Sequence, residues 1–121
     1  MPHFPNPNAE RRPPRLRFAT GVFASVKADK KSLKANLQVI SETGGRVSLE
    51  VKLQGGSLVE VHIQSSFGHI LGLTEMLKPR PSKTDGVWIQ PFRFVAFGDD
   101  DYENLRRLVN QGNSLAEFIR L

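Results

Sequence analysis

Four arginines, Arg11, Arg12, Arg15 and Arg17, stand within seven residues near the start of the chain, with Pro13 and Pro14 among them. A guanidinium is a planar fork of donors. It can grip two phosphate oxygens at once, or the O6/N7 edge of a guanine, and lysine cannot match that geometry. The prolines stiffen the segment and hold it out of a helix. Such a cluster is suited to catching an anion, although a solvated basic tail would have the same composition. A second spacing of interest is Ser41-Glu42-Thr43-Gly44-Gly45. It offers a short hydroxyl and, three residues on, a glycine over which the backbone can turn sharply. It also reads as an ordinary turn between strands.

Other chemistries have little support. Cysteine is absent, which excludes disulfides and thiolate metal sites and fits a reducing compartment. His3, His62 and His69 are scattered without ligand spacing; His62 and His69 could meet across strands, but they read as solvated side chains. Asp99, Asp100 and Asp101 are sufficiently explained as the start of a helix. No Ser/His/Asp set, phosphate loop or paired carboxylates can be assembled, so the chain does not read as an enzyme, and no cofactor is expected. The net charge is +5, and the first 17 residues hold four arginines against Glu10 alone. This concentrated charge points to an anionic partner: a nucleotide, a nucleic acid or an acidic protein face. No apolar run approaches the ~20 residues that span a bilayer, and Met1 to Glu10 carries no apolar signal region. The expectation is a cytoplasmic protein without a membrane partner.

The elements that would position these residues are mostly strands. Residues 1–10 read as a disordered lead broken by Pro2, Pro5 and Pro7. Extended runs follow at 16–27, 33–40, 46–53, 58–64, 68–77 and 87–97. The clearest are Arg46–Leu53, with Val47, Leu49, Val51 and Leu53 on one face, and Leu58–Gln64, with Val59, Val61 and Ile63 inward. Gln54-Gly55-Gly56-Ser57 between them has the composition of a hairpin. Pro91 requires a bulge or an edge. Six short strands leave no room for helical crossovers, so the sheet must be antiparallel, a barrel or a sandwich. Trp88, Phe92, Phe94 and Phe97 read as its wall and core. Asp99 onward predicts a helix with an apolar stripe at Tyr102, Leu105, Leu108 and Val109, capped at Gly112. The domain then spans 11–112, and 113–121 forms a short helical segment bearing Leu115, Phe118, Ile119 and Leu121.

An arginine arm, a Ser-x-x-Gly turn, a small barrel and a terminal helix in this order resemble the PilZ domain family, receptors for the bacterial second messenger cyclic di-GMP. Arg11 and Arg15 match its Arg-x-x-x-Arg motif, with Arg12 and Arg17 as neighbours that could assist. Ser41 and Gly44 match its Asp/Asn-x-Ser-x-x-Gly motif, but Val39 stands where the leading polar residue belongs. Valine can make no hydrogen bond there, and losing one costs on the order of 1–3 kcal/mol. The resemblance implies an all-β, six-stranded split barrel with a C-terminal α-helix. It also implies a non-enzymatic receptor that binds cyclic di-GMP through Arg11, Arg12, Arg15, Ser41 and Gly44 and relays the signal to a downstream protein. Val39 keeps open an adaptor that binds protein and no nucleotide. A nucleic-acid-binding barrel, suggested by the basic arm, ranks third.

Overall fold

The computed structural model describes residues 2–3, 15–17 and 22–119, with side chains placed for 15–17 and 22–110. In chain order the elements are β1 (Pro2–His3), β2 (Arg15–Arg17), β3 (Phe23–Ala28), β4 (Lys31–Ser41), β5 (Gly44–Leu49), β6 (Leu58–Ser65), β7 (Gly68–Met76), β8 (Arg80–Pro81), β9 (Trp88–Gly98) and α1 (Asp99–Ile119). Six strands close an antiparallel barrel in the order β9-β5-β4-β3-β6-β7, with β7 bonded back to β9. The short strands decorate it: β1 and β8 lie on β9, and β2 lies on β4. This is the expected six-stranded barrel with a C-terminal helix.

Alternation explains the inward faces. Val59, Val61 and Ile63 on β6 are buried while Glu60 and Gln64 face water. Phe92, Phe94 and Phe97 bring β9 into the same core, their rings touching in sequence at 5.5 and 4.9 Å. Each fully buried side chain of this size is worth roughly 1.5–3 kcal/mol. The β3–β4 hairpin turns on Asp29 and Lys30, both left-handed at φ 47° and 68°. That geometry matches the twist of paired strands, although neither residue is a glycine. The β6–β7 hairpin turns at Ser65-Ser66-Phe67-Gly68, where the Ser65 hydroxyl donates to the Gly68 carbonyl (2.8 Å) and accepts from the Phe67 N–H (3.1 Å).

Five local expectations need correction. Pro2 and His3, expected in a disordered lead, form β1 against Gly98 and Phe97 of β9. The single extended run expected at 16–27 is two strands, β2 and β3, each paired with β4. Strand β5 stops at Leu49, and Val51 is 47% exposed rather than inward. Gln54–Ser57 turns, with the Ser57 N–H donating to the Gln54 carbonyl (3.1 Å), but it joins strands that are not neighbours. Strand β5 lies between β4 and β9, and β6 between β3 and β7, so the segment crosses the barrel end. The buried amide of Gln90 ties this crossing down, accepting from the Leu53 N–H (3.2 Å) and donating to the Leu77 carbonyl (2.6 Å). Finally, α1 runs unbroken through Gly112 to Ile119. An interior glycine costs about 1 kcal/mol relative to alanine, which a helix of this length can absorb.

Pro91 sits within β9 where an edge exists on one side only. Its carbonyl accepts from the Leu77 N–H (2.8 Å), just beyond the end of β7. The missing proline N–H therefore faces a stretch where no ladder continues. Helix α1 starts directly after β9 and buries Leu105, Leu108 and Val109. Polar ties fix it to β7: the Leu71 N–H donates to Asp101 (2.9 Å) and the Asn104 amide donates to the His69 carbonyl (2.9 Å). Among the described residues no helix is long and apolar enough to cross a membrane.

Candidate functional site

Strand β2 carries the end of the arginine segment and pairs with β4 in a defined register. Arg15 is opposite Ser41, Leu16 opposite Ile40, and Arg17 opposite Val39. Side chains alternate along such a ladder. Leu16, 2% exposed, enters the core beside Ile40, and both arginines face outward on the side of Ser41 and Val39. Arg11 and Arg12 lie outside the described residues.

Outward from this ladder lies an open cleft of ≈ 490 Å³. Five arginines line it: Arg15, Arg17, Arg46, Arg80 and Arg93. No aspartate or glutamate is among its described lining residues. Two cross-strand rows create the arrangement. One runs Arg17, Val39, Arg46, Pro91; the other runs Gly44, Arg93, Glu75. Arg93 is held by Glu75 through Nε (2.6 Å) and the terminal nitrogen (2.5 Å). The Arg46 Nε donates to the Gln38 side-chain oxygen (3.0 Å). In a regular strand Gln38 would face away from the site. A β-bulge between Leu37 and Val39 breaks the alternation, so that Leu37 and Ile40 both point inward and Gln38 reaches Arg46. Arg46, Arg80 and Arg93 are site residues that a local reading of the sequence misses. A hint was present for Arg46, which has the opposite parity to the core residue Val47.

The Ser-x-x-Gly turn is built from its own hydrogen bonds. Ser41 is 6% exposed. Its hydroxyl bonds the Gly44 carbonyl (3.1 Å) and the Thr43 hydroxyl (3.2 Å), and it accepts from the N–H groups of Thr43 and Gly44 (both 3.3 Å). The Ser65 turn, which does not line the cleft, uses the same device, so this spacing is by itself a way of closing a hairpin. Gly44 also differs from expectation. It has no left-handed φ. Its need is for space, because a Cβ would fall on the Phe92 carbonyl oxygen and lie 2.9 Å from the Arg93 Cα. The missing side chain lets β5 start hard against β9 and brings Arg93 to the cleft.

Two further contacts tie the turn to the rest of the fold. The Phe94 N–H donates to the Thr43 carbonyl (2.8 Å). The Tyr102 hydroxyl on α1 donates to the Glu42 carboxylate (2.7 Å). That hydrogen bond, then burial, then the Glu42 charge push the Tyr102 phenol from 10.0 up to about 12.

Elsewhere, His62 and His69 do meet across strands. A ring nitrogen of each lies 2.7 Å apart, and the rings are stacked. No third ligand joins them: among the described residues no cluster of three metal-ligating side chains exists.

A family model described as PilZ domain matches residues 9–111. The fold is similar to the PilZ domain of YcgR from Escherichia coli solved with c-di-GMP, with a TM-score of 0.74 and 20% identity over 92% of this chain and 97% of that one. A second structure, of YcgR from Escherichia coli in complex with c-di-GMP, gives 0.69 and 22% identity, over 92% of this chain and 49% of that one. The inhibitor of motility from Bacillus subtilis gives 0.70 and 13% identity, over 87% and 51%. This chain thus spans about half the length of the latter two. At these identities the likeness shows the fold. Comparison with curated proteins returns no match.

Proposed function

The chain belongs to the PilZ domain family, and we propose on that footing that its arginine-lined cleft is a non-enzymatic receptor site for cyclic di-GMP, whose occupancy is relayed to a protein partner. The observation that carries this reading is the β2–β4 register, which sets Arg15 opposite Ser41 in a cleft with five guanidiniums and no carboxylate among its described lining. A ligand with two phosphates and two guanines offers the bidentate acceptors that such forks recognise. Arg15, with Arg11 and Arg12 on the same arm, would supply phosphate and guanine contacts. Gly44 would act by bringing β5 and β9 together, and Ser41 by holding the turn rigid rather than by donating to the ligand. Glu42 connects that turn to α1 through Tyr102, a route by which occupancy could reach the helix and a partner docked there.

Isothermal titration with cyclic di-GMP tests the reading. Saturable heat is expected, and Arg15→Ala should remove most of it. No heat and no saturation at ~100 µM ligand would eliminate the receptor role. A second reading, a PilZ adaptor that binds protein without nucleotide, draws on Val39, which places an apolar side chain between Arg17 and Arg46 at the centre of the cleft wall. Silence in the titration together with retained binding to a protein partner would favour it.

A further inference from the structure

Away from the cleft, His62 on β6 and His69 on β7 turn a ring nitrogen towards each other. Nε2 of the first lies 2.7 Å from Nδ1 of the second, and neither residue lines the cleft. The strands fix this approach. They pair without a break from Leu58 opposite Glu75 to Ser65 opposite Gly68, which sets Gln64 opposite His69 and His62 opposite Leu71. Val61, Ile63 and Ile70 are buried, so both histidines stand on the outer face, where His69 is exposed and His62 half-buried. Their backbone is tied at both ends. The Ser65 hydroxyl closes the turn, and α1 holds β7 through Asn104 on the His69 carbonyl (2.9 Å) and Asp101 on the Leu71 N–H (2.9 Å).

Imidazole nitrogen is a good ligand for late divalent first-row metals. With metal–nitrogen bonds of roughly 2.0–2.1 Å, as for zinc, two nitrogens stand about 2.9 Å apart when the bonds meet at a right angle and about 3.4 Å apart at a tetrahedral angle. The 2.7 Å separation is close to the first arrangement. Entry of an ion requires the proton between the rings to move to the outer nitrogen of its own ring, a change of tautomer that leaves the charge unchanged. We infer that His62 and His69 form a two-imidazole chelate for Ni²⁺ or Cu²⁺, ions whose tetragonal geometry sets neighbouring ligands at right angles. Water fills the other positions, because among the described residues no third histidine, cysteine or carboxylate joins the pair. Two ligands held on paired strands bind more tightly than two separate ones, since the second is already in place when the first engages.

The test is isothermal titration of the untagged full chain with NiCl₂ in a buffer that does not bind metal. Saturation is expected at one ion per chain, with a Kd of about 100 µM or tighter. His62→Gln and His69→Gln should each weaken binding at least about tenfold, and the double variant should fall within about threefold of either single one, because one imidazole cannot chelate. His3→Gln removes the chain's remaining histidine and should change the Kd by less than about threefold. MgCl₂ at ~1 mM should not displace the nickel, since a hard cation prefers oxygen. No saturation up to ~1 mM Ni²⁺ would overturn the inference, as would single variants at 62 and 69 that bind within about threefold of the native chain. A loss confined to His3→Gln, or displacement by Mg²⁺, would move the binding to other groups and overturn it equally.

Discussion

Tyr102 is the only tyrosine of the chain, so a single chromophore reports on the bond between the helix and the Ser41–Gly44 turn. Its phenol donates to Glu42 (2.7 Å), and its pKa is pushed from 10.0 up to about 12, chiefly by that bond. Tyrosinate absorbance followed across an alkaline titration should therefore show a midpoint near 12, and Glu42→Ala should bring it most of the way back to 10. The stability consequence has a definite sign. A pKa that is higher in the folded state means that the neutral phenol is the bonded form. The contribution is complete below pH 10 and disappears as pH rises towards 12. At ~1.4 kcal/mol per pH unit a dry site would yield roughly 3 kcal/mol. Tyr102 is only partly buried, and solvent screening cuts the value to about 1 kcal/mol. Chemical denaturation at neutral pH should show Glu42→Ala destabilised by about that amount, with the difference narrowing above pH 10. A native midpoint near 10, or one left near 12 in Glu42→Ala, would refute the latch.

Three further outcomes are expected. Gly44→Ala forces a Cβ onto backbone atoms of β9, which cannot swing aside; it should cost at least ~2 kcal/mol, read as a drop in thermal midpoint of about 8 °C or more. Ser41→Ala and Ser65→Ala remove the same turn device, so both should lose about 1 kcal/mol in urea unfolding, and a far larger loss for Ser41 would mean that it does more than close its hairpin. Lys30→Gly relieves a left-handed lysine at φ 68° and should raise stability by about 1 kcal/mol; no gain would show that the turn is not strained.

How far the sequence reached depended on the range of each signal. Strands such as Leu58–Ser65 were legible because burial on one face imposes a period of two on neighbouring residues. The helix stripe at Leu105, Leu108 and Val109 was legible for the same kind of reason. Pairing partners are a longer-range matter. Gly55-Gly56 has turn composition whether or not the strands on either side bond, and here they do not. The bulge at Gln38 leaves no local mark, so its reach to Arg46 could not be foreseen. Arg93 and Arg80 enter the cleft through registers with Gly44 and Ile89, relations between residues far apart in the chain. Gly44 illustrates the limit well. Its type was noticed, but its cause is the distance between two backbones, which only the assembled sheet reveals.

The way β2 is attached separates placement from recognition. The strand is held by a main-chain ladder to β4 and by an apolar side chain, Leu16, sunk into the core, and it lies against α1. Neither the ladder nor Leu16 depends on the guanidiniums at 15 and 17. Exchanging Arg17 should therefore retune the charge of the cleft while the segment stays in its berth. Position 16 has no such latitude: a polar residue there would release the whole strand and silence both arginines together.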